Sequence, residues 1–322
     1  MQRVNCPFCL SGRRVKLFET EDINWKVPGN FTIVKCMACG TVYLSPAPEQ
    51  KEFEKCYPEK YYTRASGNVR VTEAHKLSLE KGFLYRADIM ERFVKIGKML
   101  DVGCGDGYFI AFLRKRGWDS WGAEISEAAC RHAINELLLE KDKVLCGDFL
   151  KISLPGNCFD LITLFDVLEH MPDPATVLKR CSELLKPGGG IFIQVPNFNS
   201  AGRRIFGKYW IHIDAPRHLI HFTPASLRLF MKGWEIMSEK TETNIRQKYI
   251  SGYSDSLRHF IKHLLSPATQ SPALTPQDRR NSESSFRNPL VSLERMAFKA
   301  AGDFADAFDS GEMIQLYARK RT

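Results

Sequence analysis

Cys6-Pro7-Phe8-Cys9 is answered, 27 positions beyond Cys9, by Cys36-Met37-Ala38-Cys39. Each C-x-x-C turn can aim two thiolates at one ion, and two such turns suit a tetrahedral metal. The spacing predicts a zinc ion held by Cys6, Cys9, Cys36 and Cys39. Four sulfurs leave no open position, so the metal is expected to be structural and not catalytic. A redox dithiol would need one such pair beside a βαβ pattern, which this segment lacks. The other six cysteines, Cys56, Cys104, Cys130, Cys146, Cys158 and Cys181, stand singly in or beside apolar runs and read as inert thiols.

A second constellation could hold a nucleotide-like cofactor. Asp101-Val102-Gly103-Cys104-Gly105-Asp106-Gly107 follows an apolar run, and its glycines let a backbone turn sharply against a ligand. A dinucleotide site would read G-x-G-x-x-G, whereas this chain has G-x-G-x-G after an Asp. Glu124 lies 19 residues beyond Gly105, where a carboxylate can accept hydrogen bonds from ribose hydroxyls. Asp148 ends the next strand-like run, within reach of a base.

The elements that must position these groups alternate. "KMLDVG" precedes a helical stretch from Tyr108 to Arg116, and "SWGAEIS" precedes one from Glu127 to Leu138. "KVLCGDF" and "CFDLITLFDVLEH" lead to a helix from Ala175 to Leu185, and "GGGIFIQVPN" follows. This rhythm predicts an α/β fold with a doubly wound, mainly parallel sheet, which binds ligands beyond the carboxyl ends of its strands. Strand-like "RRVKLFE" and "FTIVKC" lie between the cysteine pairs, as in a small zinc ribbon. The domains expected are 1–62 for ribbon and connecting segment, 63–250 for the α/β domain, 251–310 for a helical insert and 311–322 for a final strand.

"LDVGCGDGYF", "GAEIS", "GDF", "FDLITLFDVLEHMPDP" and "LLKPGGGIFIQVPN" resemble successive motifs of the class I S-adenosylmethionine-dependent methyltransferases. The match runs from about Phe83 to Asn244 and includes the C-terminal strand. The resemblance implies a Rossmann-like sheet of seven strands, the last antiparallel. It implies that Asp101, Gly103, Gly105 and Gly107 hold the methionine part of S-adenosylmethionine, Glu124 the ribose, and Asp148 with Phe149 the adenine. The core is similar to ubiquinone-type O-methyltransferases, and the ribbon to uncharacterised methyltransferases associated with cell-surface sugar or secondary metabolism. The expected reaction is methyl transfer to a small or lipid-like molecule at oxygen. Deoxysugar C-methyltransferases carry similar ribbons, so carbon stays open, as do an RNA acceptor and a catalytically silent interaction protein.

A sulfonium methyl is already activated, so the enzyme must align the acceptor and remove any proton it carries. In the resembling family, Asp166 faces the methyl-donor end of the cleft. An N-P-P-Y sequence there would mark nitrogen of a nucleobase or glutamine; "FDVLEH" argues for a small-molecule acceptor and against nucleic acid. His170 is the candidate base by its ordinary pKa, with a backbone-bonded loop residue as the alternative. "HIDAPRHLIHFTPASL", His212 to Leu227, carries Arg217, His218 and His221. It follows the fifth strand, where this fold has loops overhanging the acceptor pocket. Arg217 and His218 are therefore expected to meet substrate, His218 taking a catalytic part with a loop-anchoring hydrogen bond as its alternative, and His221 to serve as substrate contact or structural support. Their spacing fits no metal site. Thr223 and Pro224 read as the entry to a helix up to Lys232, with a strand from Trp234 to Lys240.

The final strand, "EMIQLYARK", comes only after an insert. Leu257, Phe260, Ile261 and Leu264 have helical spacing, as do Leu290, Leu293, Met296 and Ala300. "SPATQSPALTPQDRRNSESS" between them reads as disordered. Arg258, His259, Lys262 and His263 border the first apolar face, which suits peripheral membrane contact or, preferably, ordinary packing. The net charge of +9 leans on the stretch from Arg203 to Lys262, with eleven Lys and Arg against five Asp and Glu. With 44% hydrophobic residues in a chain of 322, a sizeable core is available. The lack of a secretory signal or a spanning run predicts a cytoplasmic protein. The sequence sets no oligomeric state.

Overall fold

The alternating runs beyond Lys98 fold as a seven-stranded sheet in the computed structural model, which describes residues 4–57, 73–243, 250–265 and 300–321. The chain divides into two compact units, each assembled from separated segments. One comprises Met1–Cys56, Pro196–Ser226 and Thr241–Met313; the other comprises Tyr57–Val195, Leu227–Lys240 and Ile314–Thr322. This is a correction to the linear boundaries expected from sequence. Residues 196–226 join the cysteine-bearing unit, and the 62/63 boundary lies outside the described residues.

In the first unit, β1 (Arg14–Thr20), β2 (Phe31–Cys36) and β3 (Val42–Leu44) form an antiparallel meander. β9 (Ile220–His221) pairs antiparallel with β3, Val42 opposite His221 and Tyr43 opposite Ile220. The stretch expected to overhang a pocket therefore supplies an edge of the ribbon sheet. Helix α8 (Ile250–Leu265) confirms the helical spacing of the insert. Its Phe260 ring meets Phe206 and Tyr209 at 6.4 and 6.2 Å, and Tyr253 packs edge-on to Phe206. Tyr253 and Phe260 of α8 thus pack within the unit, while Ile261 is left 41% exposed. The Ser/Pro-rich segment and the second helical stretch, except Ala300, lie outside the described residues. No described helix is long and apolar enough to cross a membrane.

In the second unit the strand order is β10 (Trp234–Glu242), β11 (Met313–Lys320), β8 (Leu185–Pro196), β7 (Phe159–Phe165), β4 (Lys98–Val102), β5 (Asp119–Glu124), β6 (Val144–Cys146). β6, β5, β4, β7 and β8 pair in parallel, and the antiparallel strand comes last. The chain moves outward from β4 through β5 to β6, then returns to β7 on the other side of β4. That reversal is the topological switch point, where the crevice of such sheets lies. Helix α3 (Tyr108–Lys115) leaves the glycine turn. α4 (Glu127–Asn135) is capped by Ser126, and α5 (Pro174–Leu184) by Asp173 with Pro174 in its first turn. Met99, Leu161, Phe165, Phe109, Leu113 and Tyr317 are buried with Ala87 and Met90 of α2 (Glu73–Phe93) on one side of the sheet. Burying such side chains stabilises by about 1.5–3 kcal/mol each and makes β4 and β7 a stiff platform.

Candidate active site

Gly103, Gly105 and Gly107 all have left-handed backbones, with φ of 73°, 56° and 83°. Only glycine adopts such values without strain. A Cβ on Gly103 would stand 2.5 Å from Val167 Cγ2, and one on Gly107 2.7 Å from the Ala133 methyl. One on Gly105 would meet nothing within 4 Å. The turn is packed from beneath at two glycines and open at the third, as a cradle for a ligand requires.

Two buried carboxyl groups flank it. Asp101, one residue before the end of β4, accepts a 2.6 Å hydrogen bond from Thr163 Oγ1 of β7 across the switch point. Burial pushes its pKa up to about 7; Thr163 and the Arg86 guanidinium pull down, and Glu124 pushes up. Glu124, ending β5, accepts from the Gly105 N–H at 2.9 Å and the Ser126 N–H at 2.8 Å, so it braces the turn. Burial raises its pKa against those N–H groups. Each oxygen retains a lone pair for a hydroxyl. Beyond β6, Asp148 accepts from the Leu150 N–H at 3.0 Å, and Phe149 is buried. Ile125, next to Glu124, is 62% exposed, an apolar side chain left uncovered beside the cradle. Sequence reasoning missed it, because one apolar residue at a strand end carries no pattern.

At the end of β7, Asp166 also has a left-handed backbone, with φ of 60°. Its Oδ1 accepts from Gln194 Nε2 at 2.9 Å, and its Oδ2 lies 3.3 Å from Arg86 Nη2. Arg86 stacks on Phe165 at 4.2 Å. Gln315 Nε2 reaches Gln194 Oε1 at 3.2 Å. His170 closes a 3-10 turn, Leu168–His170, and its Nδ1 is 3.1 Å from the Tyr57 hydroxyl. Arg86 and Tyr57 were not singled out from sequence; both come from segments preceding the motifs.

In the other unit, the Sγ atoms of Cys6 and Cys39 are 3.4 Å apart and those of Cys9 and Cys36 3.5 Å. All four lie within 4.8 Å of one another. Sulfurs about 2.3 Å from a zinc ion at a tetrahedron's centre are about 3.8 Å apart, so the donor set fits. Arg217 requires a correction. It is wholly enclosed, and all five of its N–H groups are spent: on Asp22, on Asp214 and on the Cys56 carbonyl. None is left for a substrate, and the residue is an internal brace. His218 is buried, its Nδ1 2.8 Å from the His212 carbonyl. His221 is a buried strand residue, its Nε2 without a partner. Burial first, then His218 and Arg203, lower its pKa to about 3 and keep it neutral.

A glycine cradle at the switch point, with one carboxylate near the end of β4 and another ending β5, defines the cofactor half of a class I methyltransferase fold. The methyltransferase domain family model matches residues 75–234. A ubiquinone biosynthesis O-methyltransferase of Pseudomonas aeruginosa is 27% identical over 172 residues, 51% of this chain and 71% of the relative. That of Methylococcus capsulatus is 34% identical over 131 residues, 39% and 52%. In fold, the chain is similar to phosphoethanolamine N-methyltransferase 2 of Haemonchus contortus in complex with S-adenosylmethionine (TM-score 0.51, 16% identity, 95% of this chain and 71% of that one). It is similar also to the [4+2]-cyclase SpnF (0.51, 18%, 86% and 97%). The chain belongs to the class I S-adenosylmethionine-dependent methyltransferases.

Proposed function

We propose that the chain methylates an oxygen of a small-molecule acceptor, with His170 removing the proton. The observation that supports this most is the meeting at the ends of β4, β5 and β7 of two groups of residues. Asp101, Gly105 and Glu124 form a cofactor cradle; Asp166 and His170 lie beside it in chain order and strand order. The relatives are O-methyltransferases by name, which supports oxygen as the acceptor atom.

S-adenosylmethionine supplies a methyl group on a sulfonium, so no further activation of the donor is required. Asp101 offers a carboxylate to the cationic methionine end, and Glu124 offers its spare lone pairs to the ribose hydroxyls. Asp148, Phe149 and the uncovered Ile125 bound the space for the adenine. Asp166 is a poor base, because Gln194 and Arg86 occupy its two oxygens; it positions and carries charge. His170 suits proton removal better. With its Nδ1–H donating to the Tyr57 hydroxyl, the imidazole carries its basic lone pair on Nε2, the atom that would take the acceptor proton. The four cysteines hold a structural zinc that stiffens the ribbon.

The test uses the whole protein, S-adenosylmethionine labelled in the methyl group, and a cell extract from a strain lacking the gene. Label should enter the small-molecule fraction and stay out of RNA. His170→Ala should lower turnover by about 10²–10⁴-fold with cofactor affinity unchanged. Label in RNA, or a His170→Ala enzyme of wild-type rate, would overturn the reading.

A further inference from the structure

We infer that Arg203 anchors a binding site for a phosphoryl group on the unit that carries the ribbon. Arg203 lies on α6 (Ala201–Phe206), whose Ser200 cap accepts its backbone N–H at 3.1 Å. Its guanidinium carbon lies over two aromatic rings, 4.8 Å from the Phe18 centroid and 4.5 Å from that of Phe198. Among the described residues no carboxylate pairs with it. Its Nε is enclosed and without a hydrogen-bond partner. Burial alone acts on the group, drawing its pKa below the ordinary value.

Arg203 is half-buried, and shielding part of a charge from water without an opposite charge is costly, so such groups in folded proteins are ordinarily paired. Arg217 in the same unit obeys that rule with two carboxylates. Arg203 has aromatic faces in their place. Aromatic rings against the face of a planar guanidinium stabilise its charge without using its N–H donors. An edge presenting parallel N–H donors matches an oxyanion.

His221 adds a second polar atom without a partner. Its ring lies against the same Phe198, centroids 5.4 Å apart, with only 4% of the residue exposed. Its enclosed Nε2 has no partner. The ring stays neutral, and in its Nε2–H tautomer it donates to an anion with no proton to gain first. Arg204 on the same helix and Lys208 on the 3-10 turn that follows, Gly207–Tyr209, add two positive charges, which outnumber the one Glu312 carboxylate that accepts the Gly202 N–H. That surplus favours a phosphoryl group over a singly charged carboxylate. The group could belong to a soluble phosphate ester or to a lipid headgroup.

The experiment compares full-length, zinc-replete wild type with Arg203→Met and Arg203→Lys at constant ionic strength. Chloride is replaced by inorganic phosphate or pyrophosphate, and melting is followed by calorimetry and binding by titration. Pyrophosphate should raise the wild-type melting temperature saturably and bind once per chain. Arg203→Met should lose at least tenfold in affinity and the thermal response, with Arg203→Lys between and S-adenosylmethionine affinity equal in all three. Phosphatidylcholine vesicles with and without phosphatidic acid separate the sources. Retention only by the acidic vesicles, lost in Arg203→Met, identifies a headgroup; pyrophosphate binding without retention identifies a soluble ester. A mere brace against two rings predicts otherwise: Arg203→Met melts lower, and phosphate and acidic vesicles act on neither protein. That result, or equal responses in wild type and Arg203→Met, would overturn the inference.

Discussion

Gly105→Ala and Gly103→Ala differ by one methyl at positions two residues apart, yet they should fail differently. At Gly105 the backbone has φ of 56°, and the new methyl meets no protein atom within 4 Å. The cost to folding is then the left-handed conformation alone, about 1–2 kcal/mol. In a domain of this size that lowers the melting temperature by roughly 2–8 °C. At Gly103 a similar conformational cost applies, with φ of 73°, and the methyl falls 2.5 Å from Val167 Cγ2. Carbon atoms pack at about 3.5–4 Å, so one side must move by more than about 1 Å. Overpacking of that kind adds about 1–3 kcal/mol, for a total of about 2–5 kcal/mol.

Cofactor binding should rank the other way relative to stability. The Gly105 methyl projects into the open side of the cradle, and a similar overpacking cost of about 1–3 kcal/mol corresponds to a loss of roughly 5- to 150-fold in affinity. Calorimetric melting and titration with S-adenosylmethionine measure both quantities. Val167→Ala in the Gly103→Ala background should return the clash component and leave the conformational one. A Gly105→Ala protein that binds the cofactor like wild type would refute the placement of the site. One destabilised as severely as Gly103→Ala would refute the claim that the turn is open there.

Affinity for S-adenosylmethionine should fall as pH drops below about 7, by up to tenfold per unit, because the cationic end must meet Asp101 as a carboxylate and its pKa is about 7. Asp101→Asn should be weak and nearly flat across pH 6–8, and a flat wild-type profile would count against this role. By the same linkage, the folded chain keeps a proton that the unfolded chain loses near about pH 4, so Asp101 lowers stability increasingly from about pH 4 to 7. Elemental analysis should find one zinc per chain, lost in a protein carrying both Cys36→Ser and Cys39→Ser, with S-adenosylmethionine binding retained. Arg217→Met should destabilise its unit by about 3–5 kcal/mol, since it leaves Asp22 and Asp214 buried beside no cation. Asp214, held well below the usual carboxylate range chiefly by Arg217 against the push of burial, contributes stability present above about pH 4 and lost as pH falls further. Loss of that acid sensitivity in Arg217→Met checks the pairing.

The α/β half was legible because its signals are local. Runs such as "KMLDVG" must be strands since four of five residues in β4 are buried, and the helices that follow carry their own caps in Ser126 and Asp173. The helix expected from Glu127 to Leu138 stops at Asn135, three residues early, although Leu137 keeps the apolar spacing of Cys130, Ala133 and Ile134; the chain turns away at Leu138, whose backbone is left-handed with φ of 53°. β9 was not legible. Two residues make too short a strand to show a period, and what recruits them is β3, about 180 positions away. The division into units escaped sequence reasoning for the same reason: segments that belong together are separated by the whole α/β stretch.

The site followed the same logic. Gly103, Gly105, Glu124 and Asp101 could be read directly, because a tight turn and a strand-end carboxylate are set by neighbours in sequence. Arg86 could not, since a basic residue on a 21-residue helix of mixed character looks like surface until Asp166 and Phe165 are placed against it. Arg217 misled for the opposite reason. Arg-His beside Asp214 looks reactive in one dimension, but an arginine with two acidic partners in three dimensions is satisfied. A signal did exist. Asp22 precedes a turn in which its carboxylate also accepts the N–H groups of Asn24, Trp25 and Val27, so an acidic residue is committed inward there. A buried carboxylate in the ribbon demands a cation, and the paired Arg217 supplies it while the unpaired Arg203 is left to recruit an anion from outside.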